Sequence, residues 1–424
     1  GMRLRENFTG FLLDVQKPAQ RIHEQRGDML DLDSQSMTIG ARGSGKFAGT
    51  LFDQKQELEV GYFERGDKVE ASQQRLQAGN GVPYLTETNL ASKLGDFGLY
   101  VDGNLRLTPW LGLRGGIRTD LFTFNVNNLC AVQEVSNPSR TDPPGDASCL
   151  DQQAFGHHRE PNQRSSTAST ALLPRASVIL GPFEHFTVSA SYGQGVRSID
   201  PSYITQDIAT PFASVRAYEG GVSYTRQIKS VAAVARSIFF QTHVDRDLIF
   251  SETAGRNVLG AGTTRTGWVG ATRLTGAWFD EAFNVTFVKS LYDDTKMLVP
   301  YAPDVVVRSD SAIFTDLPWT VSGTKPRGAL SAGLTYVGRR PLPLGQRSQT
   351  IFTLDLSATI GWKNVEVGLM ATNLLDRQYR LGEYNFVSDF RSDPQPTLVP
   401  MRHFTAGAPR GIFATFAVTF GGAT

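Results

Sequence analysis

From Thr353 to Thr372 the chain alternates between apolar and polar positions in two segments joined by Lys363-Asn364. Leu354, Leu356, Ala358, Ile360 and Trp362 share one face, and Thr353, Asp355, Ser357, Thr359 and Gly361 share the other. Beyond the turn, Val365, Val367, Leu369 and Ala371 continue the apolar face opposite Glu366, Gly368, Met370 and Thr372. Successive side chains of a strand point to opposite faces, so one face of such a hairpin can meet lipid while the other meets water. About 9–11 residues is the length a tilted strand needs to cross a bilayer.

One hairpin of this kind is equally compatible with a soluble antiparallel sandwich that keeps one wet face. Recurrence favours the membrane. Phe97, Leu99, Val101, Leu105 and Leu107 alternate with Tyr100, Asp102, Asn104 and Arg106, and Leu111, Leu113, Ile117 and Leu121 oppose Arg114, Arg118 and Asp120. Phe186, Val188, Ala190 and Tyr192 alternate with Thr187, Ser189 and Ser191, and Ile412, Ala414, Phe416, Val418 and Phe420 with Phe413, Thr415, Ala417 and Thr419. Roughly sixteen such segments follow one another, with short turns alternating with longer polar loops. The pattern predicts an all-β fold, an antiparallel transmembrane β-barrel, with residues 1–424 as a single barrel unit. The first ninety or so residues alternate poorly, which leaves the strand number open by about two.

Composition sharpens this picture. No stretch approaches the roughly 20 apolar residues of a spanning helix, and the mean hydropathy is slightly negative, as a polar lumen requires. The 42 glycines and 10% aromatic residues suit crowded strands and aromatic girdles at the two membrane interfaces. The 42 basic and 41 acidic residues nearly cancel, so nothing in the charge points to a nucleic-acid partner.

Candidate chemistry is sparse. Cys130 and Cys149 flank a Pro-rich polar loop and suggest a local disulfide in an oxidising compartment, worth about 3 kcal/mol in the chain-entropy model; two free thiols are the alternative. Two thiolates without neighbours at ligand spacing do not make a metal site. His157 and His158 adjoin in a loop, where their side chains diverge. The acidic pair Asp293-Asp294 precedes Leu298-Val-Pro-Tyr-Ala-Pro and is expected to be a solvated turn, with calcium binding as a minor alternative. Gly193-Gln-Gly-Val-Arg has the outline of a phosphate loop, but no helical pattern opens after it. No catalytic constellation and no cofactor motif emerge.

Several longer segments carry a resemblance. Ala190-Ser-Tyr-Gly-Gln-Gly-Val-Arg-Ser-Ile-Asp-Pro-Ser-Tyr203 runs from strand to loop through Tyr, Gly, Arg and Pro, and Tyr218-Glu-Gly-Gly221 follows. Phe239-Phe-Gln-Thr-His-Val-Asp-Arg-Asp-Leu-Ile-Phe250 ends in an Asp-rich turn, and Asn257 to Gly270 follows. Ala371-Thr-Asn-Leu-Leu-Asp-Arg-Gln-Tyr379 and Gly407-Ala-Pro-Arg-Gly-Ile-Phe-Ala-Thr-Phe-Ala-Val-Thr-Phe420 complete the set. In this order the segments resemble the C-terminal barrel of the TonB-dependent outer-membrane receptors. The resemblance implies a bacterial outer membrane, part of a barrel of about 22 strands, and energy-coupled uptake of a scarce small-molecule nutrient such as a ferric siderophore. It also implies a TonB-type inner-membrane energy-transducing complex as partner, acting through a plug.

A leader, a coupling box and a plug segment do not stand out in residues 1–424, so the expectation is the C-terminal portion of a receptor barrel or a plugless relative. A passive porin-like channel and a structural subunit of an outer-membrane assembly are the alternative functions. Within a lumen, Arg114, Arg118, Arg197 and Arg265 are the candidate ligand-binding residues, because fixed cations attract and orient anionic solutes. The competing role is pairing with Asp102, Asp120 or plug residues. Arg339 and Arg340 lie at a further strand end, and the segments Asn125 to Gln163 and Thr205 to Ala217 are the expected extracellular loops.

Overall fold

The computed structural model describes residues 2–9, 27–77, 83–129, 131–134, 157–160, 163–206, 210–251, 256–388 and 399–420. Sixteen strands form one antiparallel sheet in which each strand pairs with the next along the chain. They are β1 (Met2–Thr9), β2 (Gly27–Leu51), β3 (Gln54–Gln77), β4 (Pro83–Thr108) and β5 (Leu111–Asn128). Then come β6 (Gln163–Phe183), β7 (Phe186–Ser198), β8 (Phe212–Ile228), β9 (Val231–Val244), β10 (Thr263–Thr275) and β11 (Phe279–Tyr292). The sheet ends with β12 (Val305–Asp316), β13 (Arg327–Val337), β14 (Ile351–Trp362), β15 (Val365–Thr372) and β16 (Gly411–Val418). Three short two-stranded ribbons stand outside it, pairing 131–134 with 157–160, 248–251 with 256–259, and 380–388 with 399–406.

The two faces separate as the alternation demands. Along β4 and β5, Phe97, Leu99, Val101, Ile117 and Leu121 stand exposed, whereas Asp102 and Asp120 on the other face are buried. In the 353–372 hairpin, Trp362 pairs with Val365 across Lys363-Asn364, and Ile360, Val367 and Leu369 are exposed on one side. Lys363 has φ 51°, the left-handed backbone that a two-residue turn between twisted strands needs. Exposed apolar side chains arranged along a continuous sheet are the mark of a lipid-facing surface. Trp110, Trp278 and Trp319 are exposed at the end of the sheet that carries the short turns, with Phe183 packed 6.2 Å from Trp110 and Phe279 4.8 Å from Trp278. That belt places the inner membrane interface; in outer-membrane barrels the short turns are periplasmic and the long connections extracellular.

The weakly alternating start of the chain turns out to be long strands. β2 and β3 run 25 and 24 residues in continuous register, well past what a bilayer requires. Two causes hide them. Their outer halves carry polar residues on both faces, Asp31, Asp33, Ser34 and Ser36 of β2 among them, and the lipid face of β2 between Ile39 and Phe47 is built from Ala41, Gly43 and Gly45. The ring of Tyr62 on β3 lies across Gly43, where a Cβ would come within 2.7 Å of it, so the aromatic covers the gap its small partner leaves.

The principal core is not between sheets but on the lumen face. After β7 the chain forms a 3-10 turn, Pro201–Gln206, that folds over the outer ends of β4, β5 and β9. Ile199, Tyr203 and Ile204 pack there against Leu90, Phe124, Val126, Ala213 and Val244, all buried. The Ser165 hydroxyl donates to the Ile204 carbonyl at 3.0 Å and the Leu259 amide donates to the Tyr203 hydroxyl at 2.9 Å, tying the turn to two neighbouring segments. The 199–206 stretch is therefore an inward cover rather than an outward loop.

A charge placed on the lipid face should be costly. Leu369→Arg is expected to lower stability by about 2–4 kcal/mol, measured by reversible denaturant unfolding in lipid vesicles, because it sits mid-strand on the exposed apolar face. Thr372→Ser at the strand end should change it by less than about 0.5 kcal/mol.

Candidate functional site

The inward face of the sheet is a lattice of charge pairs whose positions follow from strand register. Asp102 on β4 lies opposite Gly116, between Arg114 and Arg118 on β5, and across from Arg175 on β6. Its carboxylate accepts from Arg114 Nε at 3.3 Å and from Arg175 Nη2 at 2.6 Å. Arg118 Nε donates to Asp120 Oδ1 at 2.6 Å, and its guanidinium lies 5.2 Å from the Phe63 ring. On the same wall the Tyr100 hydroxyl donates to Glu59 at 2.8 Å, and Lys46 Nζ lies 3.5 Å from Glu59. Asp96 Oδ1 is buried without a hydrogen-bond partner among the described residues.

A second cluster closes on Asp247, fully buried in the connection after β9. Arg197 Nη1 from β7 donates to one of its oxygens at 2.8 Å, and Arg265 from β10 and the Thr263 hydroxyl (2.7 Å) donate to the other. Leu248 N adds a fourth donor at 2.9 Å. Four donors satisfy both oxygens of the carboxylate, which offsets the cost of burying it. On the opposite wall, Arg273 pairs with Asp280 at 3.0 Å and Arg308 with Asp310 at 2.7 Å. Small residues, among them Ala312, Ser331, Gly333 and Ser357, leave a recess of about 580 Å³ around them.

All four lumen candidates are therefore ion-paired. Arg114 and Arg118 take Asp102 and Asp120, the partners their spacing suggested, while Arg197 and Arg265 converge on Asp247. The side chains of Arg114, Arg118, Arg197 and Arg265 remain between 32% and 57% accessible, so each keeps donors facing the lumen. Residues with no role in the sequence reading are Arg175 and Asp247; the available signal was the Val-Asp-Arg-Asp turn at 244–247. Asp293 is not a free loop charge: it accepts from Thr264 at 2.6 Å and lies 3.1 Å from His243 Nδ1. Arg340 donates to the Leu381 carbonyl at 3.0 Å, holding the 380–388 strand to the mouth. Cys130 and Cys149 lie outside the described residues. Among the described residues no group of three or more His, Cys, Asp or Glu is placed to hold a metal.

A meandering antiparallel sheet with an apolar outer face, an aromatic belt and a charge-paired inner face defines the wall of a transmembrane β-barrel. The family description "TonB dependent receptor-like, beta-barrel" matches residues 5–374, and the chain belongs to that family. The family comprises transport receptors of the bacterial outer membrane. Solved structures agree on the fold. The ferric yersiniabactin uptake receptor FyuA from Yersinia pestis superposes with a TM-score of 0.65 at 14% identity, over 93% of this chain and 57% of that one. The ferric citrate transporter FecA gives 0.64 at 12% identity, over 93% and 56%. The siderophore receptor PiuA from Acinetobacter baumannii gives 0.60 at 14%, over 93% and 57%. The chain thus spans a little over half the length of these structures. No curated protein matches it by sequence.

Two outcomes follow from this geometry. Asp247→Asn should destabilise the barrel by about 1–3 kcal/mol in denaturant unfolding, since it removes the shared charge of two arginines, whereas Arg114→Ala, which leaves Asp102 paired with Arg175, should cost under about 1 kcal/mol. In the ribbon beyond β15, partial burial pushes the His403 imidazole below its usual 6.5. The unfolded chain then binds the proton more readily, so this contribution is intact above pH 6.5 and is lost as pH falls below it. Amide hydrogen exchange of residues 399–406 should accelerate from pH 7 to pH 5 beyond the intrinsic pH effect, and His403→Gln should abolish that excess.

Proposed function

We propose that residues 1–424 form the barrel-wall unit of a receptor that takes up a scarce small-molecule nutrient, such as a ferric siderophore, across the outer membrane with energy supplied from the inner membrane. The observation that supports this reading is the match of the receptor-barrel family over most of the chain, together with the charge pairs along the inward face. FyuA, FecA and PiuA are named for ferric yersiniabactin uptake, ferric citrate transport and siderophore reception. A TonB-type energy-transducing complex is the partner, acting through the plug that the family resemblance implies.

In this scheme the lattice has two uses. The pairs at Asp102, Asp120 and Asp247 fix the wall against the pull that moves a plug. The accessible edges of Arg114, Arg118, Arg197 and Arg265 offer exchangeable donors along the path of an anionic solute. Uptake then proceeds by capture at the extracellular mouth, release inward when the plug is displaced, and passage over a wall that holds no site too tightly.

The test is transport by the full-length receptor in iron-limited cells, using a panel of radiolabelled ferric siderophores. Saturable uptake that collapses when a protonophore dissipates the inner-membrane gradient is the expected result. Uptake unaffected by the protonophore, with a steady open conductance in planar bilayers, would replace this reading with a passive channel.

A further inference from the structure

At the extracellular mouth, between the connections leaving β13 and β15, lies a cavity of about 450 Å³ with Arg339, Arg347, Arg377 and Arg402 on its walls and no acidic side chain among them. This arrangement is unlike the rest of the inward face, where nearly every arginine described above has a carboxylate within about 3 Å. Arg339 makes no hydrogen bond or ion pair among the described residues, and the Arg377 guanidinium has only the Phe352 ring, 5.6 Å away. Arg347 and Arg402 hold Asp304 and Glu383 at 3.5 and 3.6 Å, long contacts made from outside the cavity wall. Glu383 is moreover shared with Arg380 at 2.9 Å, so it neutralises Arg402 only in part. Four guanidinium groups around one space repel one another unless an anion joins them, and a planar fork of donors matches a carboxylate in bidentate fashion.

A second cavity of about 540 Å³ adjoins it, and Arg347 lines both. Its character is the reverse. Met297, Leu298, Pro300, Leu342 and Leu344 line most of it, with Met297 and Leu344 largely exposed, and its one acid, Asp294, accepts from the Thr295 amide at 2.6 Å. Gln346, also on this wall, accepts from Arg402 Nη2 at 3.4 Å, so the cationic and apolar spaces are joined at a second point. Leu344 is held at φ 59°, in the left-handed region, which presents an apolar side chain at a position where the backbone alone would favour glycine.

Resting on the uptake reading above, we infer that the mouth binds a soluble small molecule carrying more than one carboxylate next to an apolar or aromatic group, with the anion on Arg339, Arg347, Arg377 and Arg402 and the apolar part against Met297 and Leu298. The charged half supplies capture and orientation. The apolar half supplies discrimination, since a small hydrophilic anion gains nothing from it.

The experiment is calorimetric titration of the full-length receptor in detergent micelles with trimesate, an aromatic tricarboxylate, and with tricarballylate, its aliphatic counterpart. Trimesate is expected to bind saturably and more tightly than tricarballylate. Arg339→Ala and Arg377→Ala should each weaken it about tenfold, the size of a lost charge-assisted bond. Met297→Ala with Leu298→Ala should erase the preference for the aromatic ligand while leaving tricarballylate unchanged, and Arg42→Ala, exposed on β2, should change neither. Folding of each variant is checked by the mobility difference between unheated and boiled samples. Absence of saturable trimesate binding at millimolar concentration overturns the inference, as does binding indifferent to the arginine substitutions. Occupancy by co-purified lipopolysaccharide phosphate that trimesate does not displace also overturns it. If protonophore-sensitive siderophore uptake persists in any of these cases, the site assignment has failed and the uptake reading stands; its loss is the failure of that reading instead.

Discussion

The hydrocarbon core of a membrane offers no hydrogen bonds, and that single fact dictates the architecture of this chain. Each backbone N–H and C=O at bilayer depth must find its partner in another strand, so no strand can stand alone and connections must stay out of the lipid. The sequential pairing of sixteen strands is the simplest way to meet the requirement, because each hairpin satisfies half of a strand's groups as soon as its turn closes. The apolar outer face then costs nothing further, and all the chemistry is pushed to the inner face. There, carboxylates removed from bulk water need donors, and guanidinium groups supply most of them. Asp102 and Asp247 are the points at which that condition ties neighbouring strands together.

The ion pairs differ in reach. Arg118 and Asp120 lie two residues apart on one strand, a local pair that stiffens its own segment. Asp247 draws together β7, β10 and the connection between β9 and β10, so it closes the mouth of the wall across four consecutive strands. Loss of the first affects one strand, and loss of the second would free a loop. Exposed arginines at the extracellular mouth belong to neither group. Their lack of close acidic partners is what makes that region chemically distinct from the rest of the lining.

The fold was legible because alternation is a direct imprint of lipid on one side and water on the other. Phe97 to Leu107, Thr353 to Thr372 and Ile412 to Val418 all fall on strands with the faces the pattern assigns. Legibility failed where that imprint is diluted: β2 substitutes Ala41, Gly43 and Gly45 for larger lipid-facing groups and relies on Tyr62 from the next strand to cover them. For the lumen, Asp102 and Asp120 could be matched to Arg114 and Arg118 because all four share two adjacent strands of known register. Arg197 and Arg265 could not be matched to Asp247, which lies 50 and 18 positions away and reaches them only through a loop whose path is set by tertiary packing. The segment Thr205 to Ala217 misled in another way. Its polar start signals a loop through Ala217, yet Phe212 to Ala217 already belongs to β8, and 207–209 lie outside the described residues.

The inward turn at Pro201–Gln206 makes the two parts of the wall unequal in thickness. On the side of β4 to β9, Ile199, Tyr203 and Ile204 thicken the wall with a dry, packed layer, while on the side of β11 to β14 small residues leave the wall thin and wet. Arg273, Asp280, Arg308 and Asp310 stand along that thinner stretch. Mixed charges at close spacing there give that stretch a fine-grained polar texture with no dominant sign, the opposite of the dry layer facing it along the sheet.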